Sequence, residues 1–72
     1  MKVAITYCAQ WNYFPRASRL GEELEKQGVE VEYIAGSGGI FDVSLDGNLL
    51  FSKKRAGGFP EPAEIIALIK KS

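Results

Sequence analysis

Histidine is absent from this 72-residue chain, and cysteine occurs once, at position 8. A lone cysteine cannot form an internal disulfide. Without histidine it also leaves too few soft ligands for a zinc centre, so no bound metal or cofactor is expected. Charge of one sign is lacking too, because nine Lys and Arg balance nine Asp and Glu. Non-specific nucleic-acid binding needs a surplus of cations, so no nucleic-acid partner is expected. Long apolar runs are missing. The segment Met1 to Tyr7 holds too short a run for a signal peptide, and nothing approaches a membrane span. A reducing cytoplasm, where a single thiol stays free, is the expected compartment.

What remains is ordinary for a folded domain: 46% apolar and 25% charged residues. The length allows one small domain, residues 1–72, with a modest core. Val3, Ile5 and Tyr7 alternate with Lys2, Ala4 and Thr6. Since Ala4 is apolar and Thr6 only mildly polar, this strand reads as central and covered on both faces. Ala17, Leu20 and Leu24 form a helical stripe, with Gly21 admitting a close neighbour and Gly28 as the stop. Pro15 is either the first helical residue or the kink of a helix that starts near Gln10. Val29, Val31 and Tyr33 mark a half-buried edge strand, parallel to the first through the helical crossover.

Ala35 to Gly39 reads as a flexible loop. Two further strands, Ile40 to Leu45 and Asn48 to Ser52, flank Asp46-Gly47, a hairpin signal because Gly accepts positive φ. Residues 53–60 read as a basic, glycine-containing loop. A last helix from Glu61-Pro62 carries Ile65, Ile66 and Ile69 on its apolar face and Leu68 on its margin. The order is β-α-β-β-β-α, an α/β domain whose helices cover a four-stranded mixed sheet.

Residues 5–16, Ile-Thr-Tyr-Cys-Ala-Gln-Trp-Asn-Tyr-Phe-Pro-Arg, organise the chain. Strand, cysteine, turn and helix follow one another there. Together with Gly39-Ile40-Phe41-Asp42-Val43, Asp46-Gly47, Phe51-Ser52-Lys53-Lys54 and Gly58-Phe59-Pro60, this stretch resembles the selenoprotein W family, the Rdx group, over nearly the whole chain. The resemblance implies a thioredoxin-like fold. It implies a small redox protein using thiol or selenol exchange, with a partner protein or glutathione as redox partner. It places the family's Cys-x-x-Cys or Cys-x-x-selenocysteine motif on Cys8 and Trp11, with Ala9 and Gln10 between them.

Trp11 departs from that pattern, because an indole has no exchange chemistry. Selenocysteine is encoded by UGA, one base from the tryptophan codon UGG, so Trp11 marks the expected selenocysteine position. On that reading Cys8 resolves an oxidised selenium intermediate. With a native tryptophan, Cys8 would work alone through mixed disulfides with an external thiol. A monomer is expected, with a Cys8-linked dimer on oxidation. Beside the redox reading stands a binding module, in which Trp11, Tyr13, Phe14 and Phe59 form an aromatic docking patch. Tyr13 and Phe59, with Ala9 and Gln10, are the expected partner surface. Arg16 is a candidate to favour the Cys8 thiolate. Lys53, Lys54 and Arg55 read first as a solvated loop and second as an anion site for glutathione carboxylates.

Overall fold

The structure, a computed structural model, describes residues 1–71; Ser72, the last residue of the expected domain, lies outside them. The elements are β1 (Lys2–Cys8), α1 (Phe14–Lys26), β2 (Glu30–Gly36), β3 (Phe41–Leu45), β4 (Asn48–Ser52), α2 (Lys53–Ala56) and α3 (Pro62–Lys71). The sheet order is β2-β1-β3-β4. β1 is central, parallel to β2 and antiparallel to β3, and β2 is an edge, as the alternation suggests. This is the α/β, four-stranded mixed architecture expected, with one added helical turn.

Burial separates the two faces of the sheet. Val3 and Ile5 of β1 pair across to Leu45 and Val43 of β3, and all four are buried. Ala17, Leu20 and Leu24 of α1 and Ile65 and Ile69 of α3 complete that core. α1 contacts α3, so both helices lie on one face. Burying a side chain such as Ile65 stabilises the fold by about 1.5–3 kcal/mol. On the opposite face Ala4, Thr6, Asp42 and Ser44 are only half-buried and Glu32 is exposed. The expected cover on both faces of β1 is therefore corrected: too few elements exist to make a second layer, and small or polar residues occupy the uncovered side.

Local chemistry explains the boundaries. α1 opens with Pro15 in its first turn and has no side-chain cap from Tyr13. It closes at Gln27 and Gly28, whose φ of +81° favours glycine. So the helix neither starts at Gln10 nor kinks at Pro15. The β3–β4 turn holds Asp46 at φ 48° and Gly47 at φ 89°, the doubly positive pattern of a tight hairpin. Asp46 also ties the hairpin to β1. Its N–H donates to the Lys2 carbonyl at 2.9 Å, and its Oδ1 accepts from the Lys2 N–H at 3.1 Å. β3 starts at Phe41, one residue later than expected. Residues 53–56, expected as loop, form the single turn α2, closed by Gly57 in the left-handed region with its N–H donated to the Lys53 carbonyl at 2.7 Å.

Gly21 is the close approach that its place in the helical stripe suggests. A Cβ there would overlap the Tyr33 hydroxyl and lie 2.7 Å from Tyr33 Cζ. The ring has little room to retreat, because Phe14 packs on it at 5.6 Å between centroids. Gly21→Ala gains about 1 kcal/mol of helix propensity. The overlap costs roughly 1–3 kcal/mol. The expected result is a lower urea midpoint than wild type; a higher midpoint would mean that Tyr33 moves aside freely.

Candidate functional site

Cys8 ends β1, and the five residues before α1 fold back over it. The Ala9 N–H donates to Gly36 at 3.1 Å, Asn12 to Ala9 at 3.2 Å and Tyr13 to Cys8 at 3.1 Å, all carbonyl acceptors. Asn12 sits at φ 56°, a region asparagine tolerates better than most non-glycine residues. This turn brings the Trp11 N–H to 3.3 Å from Cys8 Sγ. Strand alternation would leave Cys8 on the uncovered face beside Thr6. Instead its exposure is 0%, while that of Trp11 is 60%. The two motif positions are thus adjacent through the backbone and opposite in access: position 8 is sealed and position 11 faces solvent.

The Trp11 indole lies against the 37–39 loop, where a Cβ on Gly39 would meet it at 2.6 Å. Gly39 also has φ +76°, so glycine is required there twice over. The glycine loop therefore lies beside the cysteine turn, as expected from its place in the chain. Ala9 and Gln10 are exposed at the tip of the turn.

The expected aromatic patch divides in two. Trp11 meets Tyr13 edge-on at 6.0 Å, Tyr13 meets Phe59 at 4.8 Å, and Phe59 meets Phe41 at 5.3 Å. Phe14 belongs elsewhere, packed on Tyr7 at 5.4 Å and on Tyr33. So Trp11, Tyr13 and Phe59 come together and Phe14 does not. Arg16 is engaged with Phe59: its guanidinium carbon stands 4.3 Å from the ring centre. Lys53 lies 5.3 Å from the same centre and 5.7 Å from that of Tyr13. Sequence reading gave Lys53 no aromatic partner, placed Gly39 in a loop beside Cys8 without its contact to Trp11, and gave Asn12 no backbone role. The asparagine was the one local signal, as the residue type most at home at positive φ.

A profile of the Rdx family matches residues 2–71. The chain belongs to the Rdx family. This Rdx chain is 34% identical over 64 residues to selenoprotein W of Gallus gallus, covering 82% of this chain and 75% of that protein. It is 28% identical over 74 residues to migration and invasion enhancer 1 of Bos taurus, covering all of this chain and 64% of that protein. The Rdx chain thus spans less than two thirds of the length of that bovine relative. The crystal structure of a selenoprotein W-related protein from Vibrio cholerae superposes with a TM-score of 0.83 at 31% identity, over 97% of this chain and 92% of that one. The thioredoxin-like fold and the selenoprotein W resemblance are both shown by these matches.

Proposed function

We propose that this chain is a cytoplasmic thiol/selenol redox protein of the selenoprotein W type. In it, residue 11 is the solvent-facing redox position, natively selenocysteine, and Cys8 is its buried partner. The supporting observation is the 3.3 Å approach of the residue 11 N–H to Cys8 Sγ, with exposure of 60% at one position and 0% at the other. An attacking atom must reach its substrate, and a resolving atom need reach only its neighbour.

The cycle then balances as follows. The selenolate at 11 attacks one sulfur of a partner disulfide, forming a selenium–sulfur bond and releasing one partner thiolate. The Cys8 thiolate attacks selenium and releases the second thiolate, leaving a sulfur–selenium bond between 8 and 11. Two electrons have passed to the partner. Two glutathione thiols return them, becoming glutathione disulfide. The N–H donated to Cys8 Sγ holds that sulfur beside position 11, where the second step needs it. In the tryptophan form only Cys8 remains, and it forms a mixed disulfide only when the 9–13 turn opens.

The test joins the gene and the thiol. Codon 11 in the source genome is expected to be TGA with an insertion element nearby. In the tryptophan form, Cys8 is expected to alkylate roughly tenfold or more slowly than an unstructured cysteine peptide, because local opening must come first. A TGG codon, or alkylation at the peptide rate, overturns the assignment of roles. The exposed Trp11 supports a second reading, a binding module: there Cys8→Ser would keep partner binding and Trp11→Ala would remove it.

A further inference from the structure

The chain as a whole is neutral, but its charges are not evenly spread. Glu22, Glu23 and Glu25 occupy the C-terminal half of α1, and Glu30 and Glu32 lie on β2. Arg16 and Arg19 occupy the N-terminal half of α1, at the end where β1 delivers Cys8. β4 runs the same way as β1, since each is antiparallel to β3, so it brings α2 with Lys53, Lys54 and Arg55 to that end too.

Among the described residues the ion pairs are Lys2–Glu32 and Lys26–Glu23. Neither Arg16, Arg19 nor Lys53 is among them. Two of these three rest on aromatic rings instead, Arg16 on Phe59 and Lys53 on Phe59 and Tyr13. A ring face holds a cation in position without neutralising it, so the charge stays available to an incoming anion. Beside these residues lies an open cleft of about 280 Å³, lined by Arg16, Arg19, Leu20, Phe41, Phe59 and Glu61 among others. Its size is near the lower end of ligand pockets, about 300–1,000 Å³. The apolar residues suit an apolar side chain, and the planar guanidinium groups suit carboxylates.

We propose that this cleft and its cationic aromatic rim dock an acidic segment of the partner polypeptide, one with Asp or Glu spaced between apolar side chains. The ring series Phe59, Tyr13, Trp11 connects the cleft to position 11, so a segment seated there holds its parent protein beside the redox turn. Binding stands on the charge and shape of the cleft. Only what the docked partner then undergoes rests on the redox reading above. Glu61 is the carboxylate on the cleft lining, and it disfavours acidic guests.

The test uses the tryptophan-bearing chain under reducing conditions, so no exchange chemistry contributes. The probe is a fluorescein-labelled six-residue peptide alternating glutamate and leucine, read by anisotropy and by amide chemical shifts. Shifts are expected at Arg16 to Leu20 and Phe59 to Glu61, with binding that weakens as salt rises. Arg16→Gln with Arg19→Gln is expected to weaken binding roughly fivefold or more. Glu61→Gln is expected to tighten it. Equal binding of a lysine–leucine peptide overturns the proposal, as do shifts confined to another surface. Succinate competing as strongly as the peptide would make the cleft a small-carboxylate site and overturns it equally. Lost peptide binding with an intact 8–11 redox pair, in a variant restoring a thiol at 11, refutes the docking surface alone. Retained binding without that redox pair refutes only the redox reading.

Discussion

Trp11→Cys is expected to convert a chain with one sealed thiol into one with a reversible internal disulfide. The N–H of residue 11 already stands 3.3 Å from Cys8 Sγ, and the Cβ of residue 11 is two bonds from that nitrogen. A sulfur carried there starts within reach of Cys8, and bonding requires rotation of side chains more than movement of the backbone. Air or glutathione disulfide should lower the mass by two hydrogens and leave no free thiol. In the reduced form, the introduced thiol should alkylate first and Cys8 slowly. Mass spectrometry after timed alkylation measures both. A protein that keeps two free thiols under oxidising conditions would show that position 11 is not a redox position.

Gly39 sharpens that experiment. An alanine there would strike the Trp11 indole at 2.6 Å and would also carry the strain of φ +76°. In the Trp11→Cys background the indole is gone, and only the backbone cost, about 1–2 kcal/mol, remains. Gly39→Ala should therefore destabilise the tryptophan form more than the cysteine form. The difference measures how much of the packing around position 11 depends on the indole.

The parts of this molecule that were legible in the sequence are those fixed by neighbours in the chain. Asp46-Gly47 announces a hairpin because two positive φ angles in succession need those residue types. Ile65 and Ile69 announce a helix face because their spacing is helical. Cys8, its turn and the following helix are contiguous, so their adjacency was readable. Other features depend on distant segments or on small numbers of residues. α2 is too short to show a period. Whether Cys8 is sealed depends on how the 9–13 turn folds back, and strand alternation gives the opposite answer. Arg16 and Lys53 share one ring although half of the chain lies between them. Ala4 and Thr6 are compatible with a covered or an open face, and only the number of helices decides between these.

The largest stability loss is expected at Phe41, where the core reaches the redox end of the sheet. Its side chain is almost fully buried, it stands opposite Tyr7 in the β1–β3 register, and its ring supports Phe59 at 5.3 Å. Phe41→Ala is expected to cost about 3–5 kcal/mol. A domain of 72 residues has roughly 4–11 kcal/mol of total stability, at ~0.05–0.15 kcal/mol per residue. The variant should therefore lose a large share of its urea midpoint. Phe59→Ala should cost less, because Phe59 is only half-buried, yet it removes the ring on which Arg16 and Lys53 rest. The two variants separate support from recognition: Phe41→Ala acts first on the folding equilibrium, Phe59→Ala first on acidic-peptide binding. Equal urea midpoints for the two would mean that the core does not extend to β3's first residue. The ring pair would then be a surface feature laid over the fold rather than a continuation of its interior.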